Sequence, residues 1–299
     1  NLNSIKMENY NINGNTIQSV SRFHPNTKLI NVPSILNEDL VCFIGYVITE
    51  SQHVDNRIRF TNCDYGLLNH FNYLSEKLFC LKPLSRFKKN PNTYELELNS
   101  KTLTDYLTDV FDFKPSKSGE KKLPYQLMGL PDNLTASLLR VLFDAEGFVP
   151  KKTKDSGTDL EYSTKSKILV EQVQILLNRF GVVGKFKPKI INGETYYSLF
   201  IGGSDNHRTF RDKIGFTIGY KKERLNELCK SGLKRNKFHL PITQILEKIR
   251  IAKNLHKNAF YQCENYSRLL DENRITYHRL KKISDKVDAT RKCEGKTQN

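Results

Sequence analysis

The sequence has no tryptophan, two methionines and no apolar run of about 18 residues, so no segment reads as a membrane-crossing helix. Its first thirty residues are polar and asparagine-rich and lack the apolar stretch of a secretory signal. A soluble chain, intracellular and cytoplasmic, is therefore expected. Six cysteines (Cys42, Cys63, Cys80, Cys229, Cys263, Cys293) show no CxxC pair and no histidine at metal-ligand spacing. That argues against a zinc site and against a disulfide framework. Acidic residues are scarce beside basic ones, 32 against 48, for a formal net charge of +16. Such a balance suits a polyanionic partner. What is present in quantity is core material, 38% hydrophobic with 17 Phe and 14 Tyr over 299 residues. It is enough for one large or two moderate domains and argues against intrinsic disorder.

Periodicity predicts a buried helix over residues 37–50 (NEDLVCFIGYVITE), capped near Asn37, then a strand over 56–62. An amphipathic helix over 64–79 follows, with Leu67, Leu68, Phe71, Leu74 and Leu78 on one side. Strands over 84–88 and 93–98, separated by KNPN, lead to a helix over 101–111. The same order returns: a helix over 133–146, strands over 148–151 and 160–164, a helix over 166–180, strands over 185–190 and 196–201, and a helix over 204–214. Glu50 and Glu146 lie 96 positions apart, Phe60 and Tyr162 102, and Leu96 and Leu199 103, the drift that loop insertions between repeats produce. The expected fold class is α+β, two pseudo-twofold-related αββαββα halves plus a helical C-terminal extension. The expected organisation is an N-terminal extension (1–35), a first half (36–113), a linker (114–132), a second half (133–220) and a basic helical extension (221–299).

The two apolar helices end alike, FIGYVITES and LRVLFDAEG, each on a carboxylate. Gly45 and Thr49 in one, and Val141 and Ala145 in the other, recur at i, i+4 and place modest side chains on one helical face. Packed side by side, the helices would bring Glu50 and Glu146 together. Two neighbouring carboxylates repel unless a cation lies between them, which points to a shared Mg²⁺. The alternative for each glutamate alone is an ordinary solvated helix end. The duplication favours the metal reading, because a carboxylate at a helix C-terminus opposes the macrodipole and helix stability does not explain it twice.

Both segments resemble the signature helices of LAGLIDADG homing endonucleases. The surrounding stretches LINVPSILNEDLVCFIGYVITES, LPDNLTASLLRVLFDAEGFV and FRDKIGFTIGYKKERLNEL look like the endonuclease domains of archaeal inteins, over about residues 30–230. The first motif has Ser51 where the family usually has Gly, and Val141 is bulkier than the usual residue. The resemblance implies a DNA-binding saddle, with two four-stranded antiparallel sheets lying along double-stranded DNA and the signature helices at its centre. It implies metal binding by Glu50 and Glu146, with the backbone carbonyls of Thr49 and Ala145 as further ligands, and site-specific double-strand cleavage across the minor groove with Mg²⁺. An archaeal source is part of the same likeness. Because one chain supplies both halves, a monomer without a small-molecule cofactor and without a membrane partner is expected. The alternative is a cleavage-deficient binder on the same scaffold, an intron maturase or a transcription factor.

The family places a basic residue near each scissile phosphate, for which Lys101 is the candidate; a charge near a helix start explains it equally well. Arg57 and Arg59 alternate with apolar residues, as do Lys185, Lys187 and Lys189, and read as two corresponding basic strands that face DNA, or else as solvated sheet faces. In the tail, residues 241–260 read as a supporting helix. Residues 266–273 and those from Thr276 onward read as a helix-turn-helix about Arg274 and Ile275, with Tyr277, His278, Arg279 and Lys282 outward, or else as a basic helix pair without DNA function. Splicing is not expected, since Asn1 offers no thiol or hydroxyl and the tail lacks a penultimate His.

Overall fold

The computed structural model describes residues 9–22, 26–54, 56–89, 92–113, 116–151, 158–230, 239–240, 243–252, 275–276, 280–281 and 284. A three-stranded sheet comes first: β1 (Tyr10–Asn13), β2 (Thr16–Ser19) and β3 (Ile30–Asn31). The first half follows as α1 (Glu38–Thr49), β4 (Ser51–Val54), β5 (Arg57–Asn62), α2 (Tyr65–Phe79), β6 (Leu84–Lys88), β7 (Thr93–Asn99) and α3 (Lys101–Phe111). After a short α4 (Tyr125–Met128), the second half repeats it as α5 (Asp132–Glu146), β8 (Gly147–Phe148), β9 (Leu160–Thr164), α6 (Lys167–Arg179), β10 (Lys185–Ile191), β11 (Glu194–Ile201) and α7 (Ser204–Lys213). The sheets have equivalent antiparallel orders, β4-β5-β7-β6 and β8-β9-β11-β10. Ser51 opposes Phe60 as Gly147 opposes Tyr162, and Phe60 opposes Leu96 as Tyr162 opposes Leu199. The chain is therefore an α+β protein of two αββαββα halves.

Local chemistry fixes these boundaries. Side chains of Asn37, Asp64, Ser100 and Ser166 each accept from the amide three residues on and cap α1, α2, α3 and α6. In the first half Phe43 and Phe60 stack on the two sides of Phe71, with ring centroids 5.3 and 4.6 Å away. In the second, Phe143 meets Phe210 at 4.7 Å and Tyr162 at 5.2 Å. Each such buried ring contributes about 1.5–3 kcal/mol by leaving water. Phe43 on α1 and Phe143 on α5 thus anchor each helix in its own half.

These two helices pack along their length. The Ser137 hydroxyl donates to the Glu38 carboxylate at 2.7 Å near their N-terminal ends. Further along, Gly45 faces Val141 so closely that a Cβ there would lie 2.9 Å from Val141 Cγ1. The bulkier Val141 is thus accommodated by glycine opposite it. Gly45→Val should destabilise the chain by about 1–3 kcal/mol, measured by denaturant unfolding, because neither helix can withdraw without opening a core.

Residues expected to form an N-terminal extension instead dock on α3. Tyr10 donates its hydroxyl to Asp109 (2.8 Å), and the Thr102 hydroxyl bridges Ser19 N–H and Lys28 C=O at 3.2 and 2.7 Å. Beyond the second half, α8 (Gly219–Lys230) buries Lys221, Leu225 and Leu228. Further on lie β12 (His239–Leu240), α9 (Thr243–Ala252) and β13 (Ile275–Thr276). β13 pairs antiparallel with β12, so Ile275 and Thr276 form neither the turn nor the helix start of a helix-turn-helix. Their backbone groups are committed to a distant strand. Tyr277, His278, Arg279 and Lys282 lie outside the described residues, as does residue 241–260 helix beyond α9. Cys42, Cys63, Cys80 and Cys229 are free thiols, and among the described residues no helix is long and apolar enough to cross a membrane.

Candidate active site between the two signature helices

Glu50 caps the C-terminus of α1, and Glu146 is the last residue of α5. Two negative helix ends and two carboxylates therefore converge. Burial pushes the Glu50 carboxyl above its usual range, with Lys121 and Lys221 opposing the shift. Burial pushes Glu146 up further, to about 8, against the favourable pull of Tyr162 and Lys121, and Glu50 adds repulsion. The cost of the like-charged pair falls on Glu146, the more enclosed acid. Its Oε2 is sealed from solvent without a hydrogen-bond partner, and so is the neighbouring Tyr162 hydroxyl. The phenol interacts with the carboxylate electrostatically but completes no hydrogen bond of ordinary geometry with it. Tyr162 has Phe60 as its counterpart, so this phenol belongs to the second acid alone.

Two lysines relieve the junction. Lys121 donates from Nζ to the Thr49 carbonyl at the end of α1. Lys221 donates to the Phe143 and Asp144 carbonyls of α5 at 3.1 and 2.6 Å. Burial lowers the pKa of both ammonium groups, partly offset by Glu146 and Glu50 at Lys121 and by Asp144, Asp64 and Glu50 at Lys221. Asp144 completes a clamp by accepting from the Thr217 amide at 3.0 Å, which ties the start of α8 to α5. Lys121 lies in the segment expected to be a linker and Lys221 in that expected to be an extension, and both segments reach the junction. A groove of about 1100 Å³ opens here, lined among others by Thr49, Glu50, Ala145, Lys121 and Lys221.

The charge on Glu146 makes stability depend on pH. The folded chain holds this proton up to about pH 8, whereas the unfolded chain releases it near the ordinary value of 4.5. The contribution is complete below about 4.5 and is lost as pH rises through 8. In metal-free buffer the chain should lose about 2 kcal/mol between pH 5 and pH 9 relative to Glu146→Gln, read from paired denaturant curves. That is a discount on the full shift because one edge of the side chain meets solvent.

Lys101 is not brought to the acids. It opens α3 beneath the Ser100 cap and pairs with Asp105 at 2.9 Å, four residues on, as a helix-start charge does. The lysines at the ends of the two acid-bearing helices are instead Lys121 and Lys221, which sequence reading missed. Of the carbonyls expected to bind metal, that of Thr49 accepts from Lys121, while Ala145 lines the groove.

The sheets carry the expected basic residues, differently arranged. Arg57 and Arg59 lie on an inner strand, whereas Lys185, Lys187 and Lys189 lie on an edge strand, so the two sets are not equivalent positions. Nor is the first face simply basic. Arg59 Nε donates to Glu97 at 2.8 Å, Arg57 and Arg86 approach the same carboxylate at 3.9 and 3.7 Å, and Lys88 pairs with Glu95. In the second half Lys189 pairs with Glu161 at 2.5 Å, and Lys187 and Lys189 lie over the Phe200 ring.

The family model of the LAGLIDADG-like domain matches residues 133–215, from the start of α5 to the end of α7. The chain's second half is a LAGLIDADG-like domain. Its first half carries the same elements and an acid in the same place. Over 249 residues the chain is 29% identical to glutamine–fructose-6-phosphate aminotransferase of Methanocaldococcus jannaschii, a match covering 81% of the chain and 22% of that protein. Over 256 residues it is 30% identical to the replication factor C small subunit of the same organism, covering 84% of the chain and 13% of that protein. The chain thus spans less than a quarter of the length of these relatives. Among solved structures, I-DmoI in complex with DNA and Ca is 19% identical, with a TM-score of 0.46, covering 64% of this chain and 97% of that one.

Proposed function

We propose that this chain is a LAGLIDADG homing endonuclease, a site-specific double-strand DNA hydrolase dependent on a divalent cation. The observation that carries this is the junction itself: two close-packed, symmetry-related helices present one carboxylate and one buried lysine each, between two sheets with basic strands. The archaeal relatives support it in another way. An aminotransferase and a replication factor subunit differ in their named activities yet share this segment, so what the chain has in common with them is the segment and not those activities.

The residues fit a hard divalent cation. Glu146 has an enclosed oxygen without a partner and a pKa that a nearby cation would lower, and Glu50 and the Ala145 carbonyl supply further oxygen donors. Among the described residues no cluster of three or more Asp, Glu, His or Cys forms, so the remaining ligands would come from backbone, water and phosphate. Bound there, Mg²⁺ or a similar ion supplies charge neutralisation at the phosphate and a more acidic water. Lys121 and Lys221, already held at the helix ends, present positive charge to the phosphates, and their lowered pKa brings proton exchange closer to neutral pH. The sheets hold the duplex by phosphate and base-edge contacts. One chain supplies both acids, and a monomer suffices.

Incubation of the chain with a randomised duplex library in Mg²⁺ or Ca²⁺, followed by sequencing of new ends, tests this. Unique paired ends in Mg²⁺ are expected. Sequence-selective binding without ends in any divalent cation would instead make the protein a binder. Duplex affinity should fall by about 10³-fold between 50 and 200 mM salt, measured by titration, if six or more phosphates are neutralised.

A further inference from the structure

Glu97 and Phe200 occupy the same place in the two sheets, opposite Arg59 on β5 and Glu161 on β9 respectively. Around Phe200 gather two lysines; around Glu97 gather three arginines. The Glu97 side chain is only 2% exposed beneath them, while those of Arg57, Arg59 and Arg86 are 42%, 28% and 57% exposed. A carboxylate buried on a face that binds a polyanion weakens that binding, so it calls for a compensating role. The geometry shows one. Arg59 gives its Nε to Glu97, and among the described residues its two terminal nitrogens make no hydrogen bond. A guanidinium anchored through Nε is fixed in plane and presents Nη1 and Nη2 as a parallel pair of donors. That pair matches the O6 and N7 acceptors of guanine in the major groove. Lysine, a mobile point charge, suits phosphate instead.

We propose that Glu97 is a positioning residue that orients Arg59, flanked by Arg57 and Arg86, to read guanine on the side of the target bound by the first half, while the lysine face around Phe200 contributes mainly affinity. This rests on the duplex-binding reading above.

The test is binding of the full chain to a duplex library in Ca²⁺, with wild type, Glu97→Gln and Arg59→Lys compared. Wild type should select guanine at one or two positions on one side of the site. Glu97→Gln keeps the shape but releases the arginines, so guanine preference there should drop about tenfold. Affinity for unrelated duplex should stay level or rise, and its salt dependence should steepen. Arg59→Lys retains the charge and should lose preference at the same positions, which secures the test should Glu97→Gln fold poorly. A purely structural glutamate would instead lower specific and unrelated binding together. That outcome, or unchanged base preference in both variants, overturns the proposal. Wild type without any sequence-dependent duplex binding would sink the functional reading itself.

Discussion

Glu50→Gln and Glu146→Gln are each expected to lower strand cleavage by about 10³-fold or more while leaving duplex affinity within about threefold. Glutamine matches glutamate in shape, so α1 and α5 keep their packing at Gly45 and Val141. What disappears is the negative charge that would hold a divalent cation, and several kcal/mol of transition-state stabilisation corresponds to that loss of rate. Under the proposed function, binding is carried by the sheets, away from the junction. Glu146→Gln also removes a strained charge and should stabilise the free chain above about pH 8, so lost cleavage in it cannot be attributed to unfolding. Single-turnover cleavage and gel-shift titration on one target decide the matter. Parental cutting rates in both variants would refute the assignment of the acids.

Lys121→Met and Lys221→Met should each slow cleavage by about 10²-fold, with strand selectivity that the acid variants lack. Each ammonium is fixed to a different helix, Lys121 to α1 and Lys221 to α5, so each stands at one side of the junction. Removing one should retard one strand more than the other, and nicked duplex should accumulate. Methionine fills similar volume but leaves buried helix-end carbonyls without a donor, a cost of about 1–2 kcal/mol in stability. Lys121→Met also withdraws a charge that holds the Glu146 pKa down, so its residual activity should move to higher pH. Supercoiled plasmid carrying one site resolves nicked from linear product. Lys101→Met should cut normally, because its side chain is engaged with Asp105.

The order of elements was legible because each half alternates a 3.6-residue period with a two-residue period, and because the pattern occurs twice. The acids were legible for the same reason. Lys121 and Lys221 were not, since GEKKLP and GYKKER read as solvated charge runs and only long-range packing selects one lysine from each. A signal existed: these lysines stand 100 positions apart, close to the 96 that separate the acids. The two-residue period of TYELELN puts Glu95 and Glu97 on one face, but the arginines that Glu97 meets come from two other strands. The short β4 escaped notice because SQHV has little apolar alternation. In the tail, a two-residue strand pairing across the distance from His239 to Thr276 leaves no local pattern at all.

The placement of Lys121 makes the junction modular. Each acid is followed, after a strand-strand-helix-strand-strand-helix passage, by the lysine that serves its own helix, so one complete set ends near residue 121 and the next near residue 221. Each half therefore carries its own acid and its own lysine, and two separate copies of such a half meeting through α1-like helices would already form a whole junction. Joining the halves in one chain frees them to differ, and the contrast between Glu97 with its arginines and Phe200 with its lysines shows how far they do.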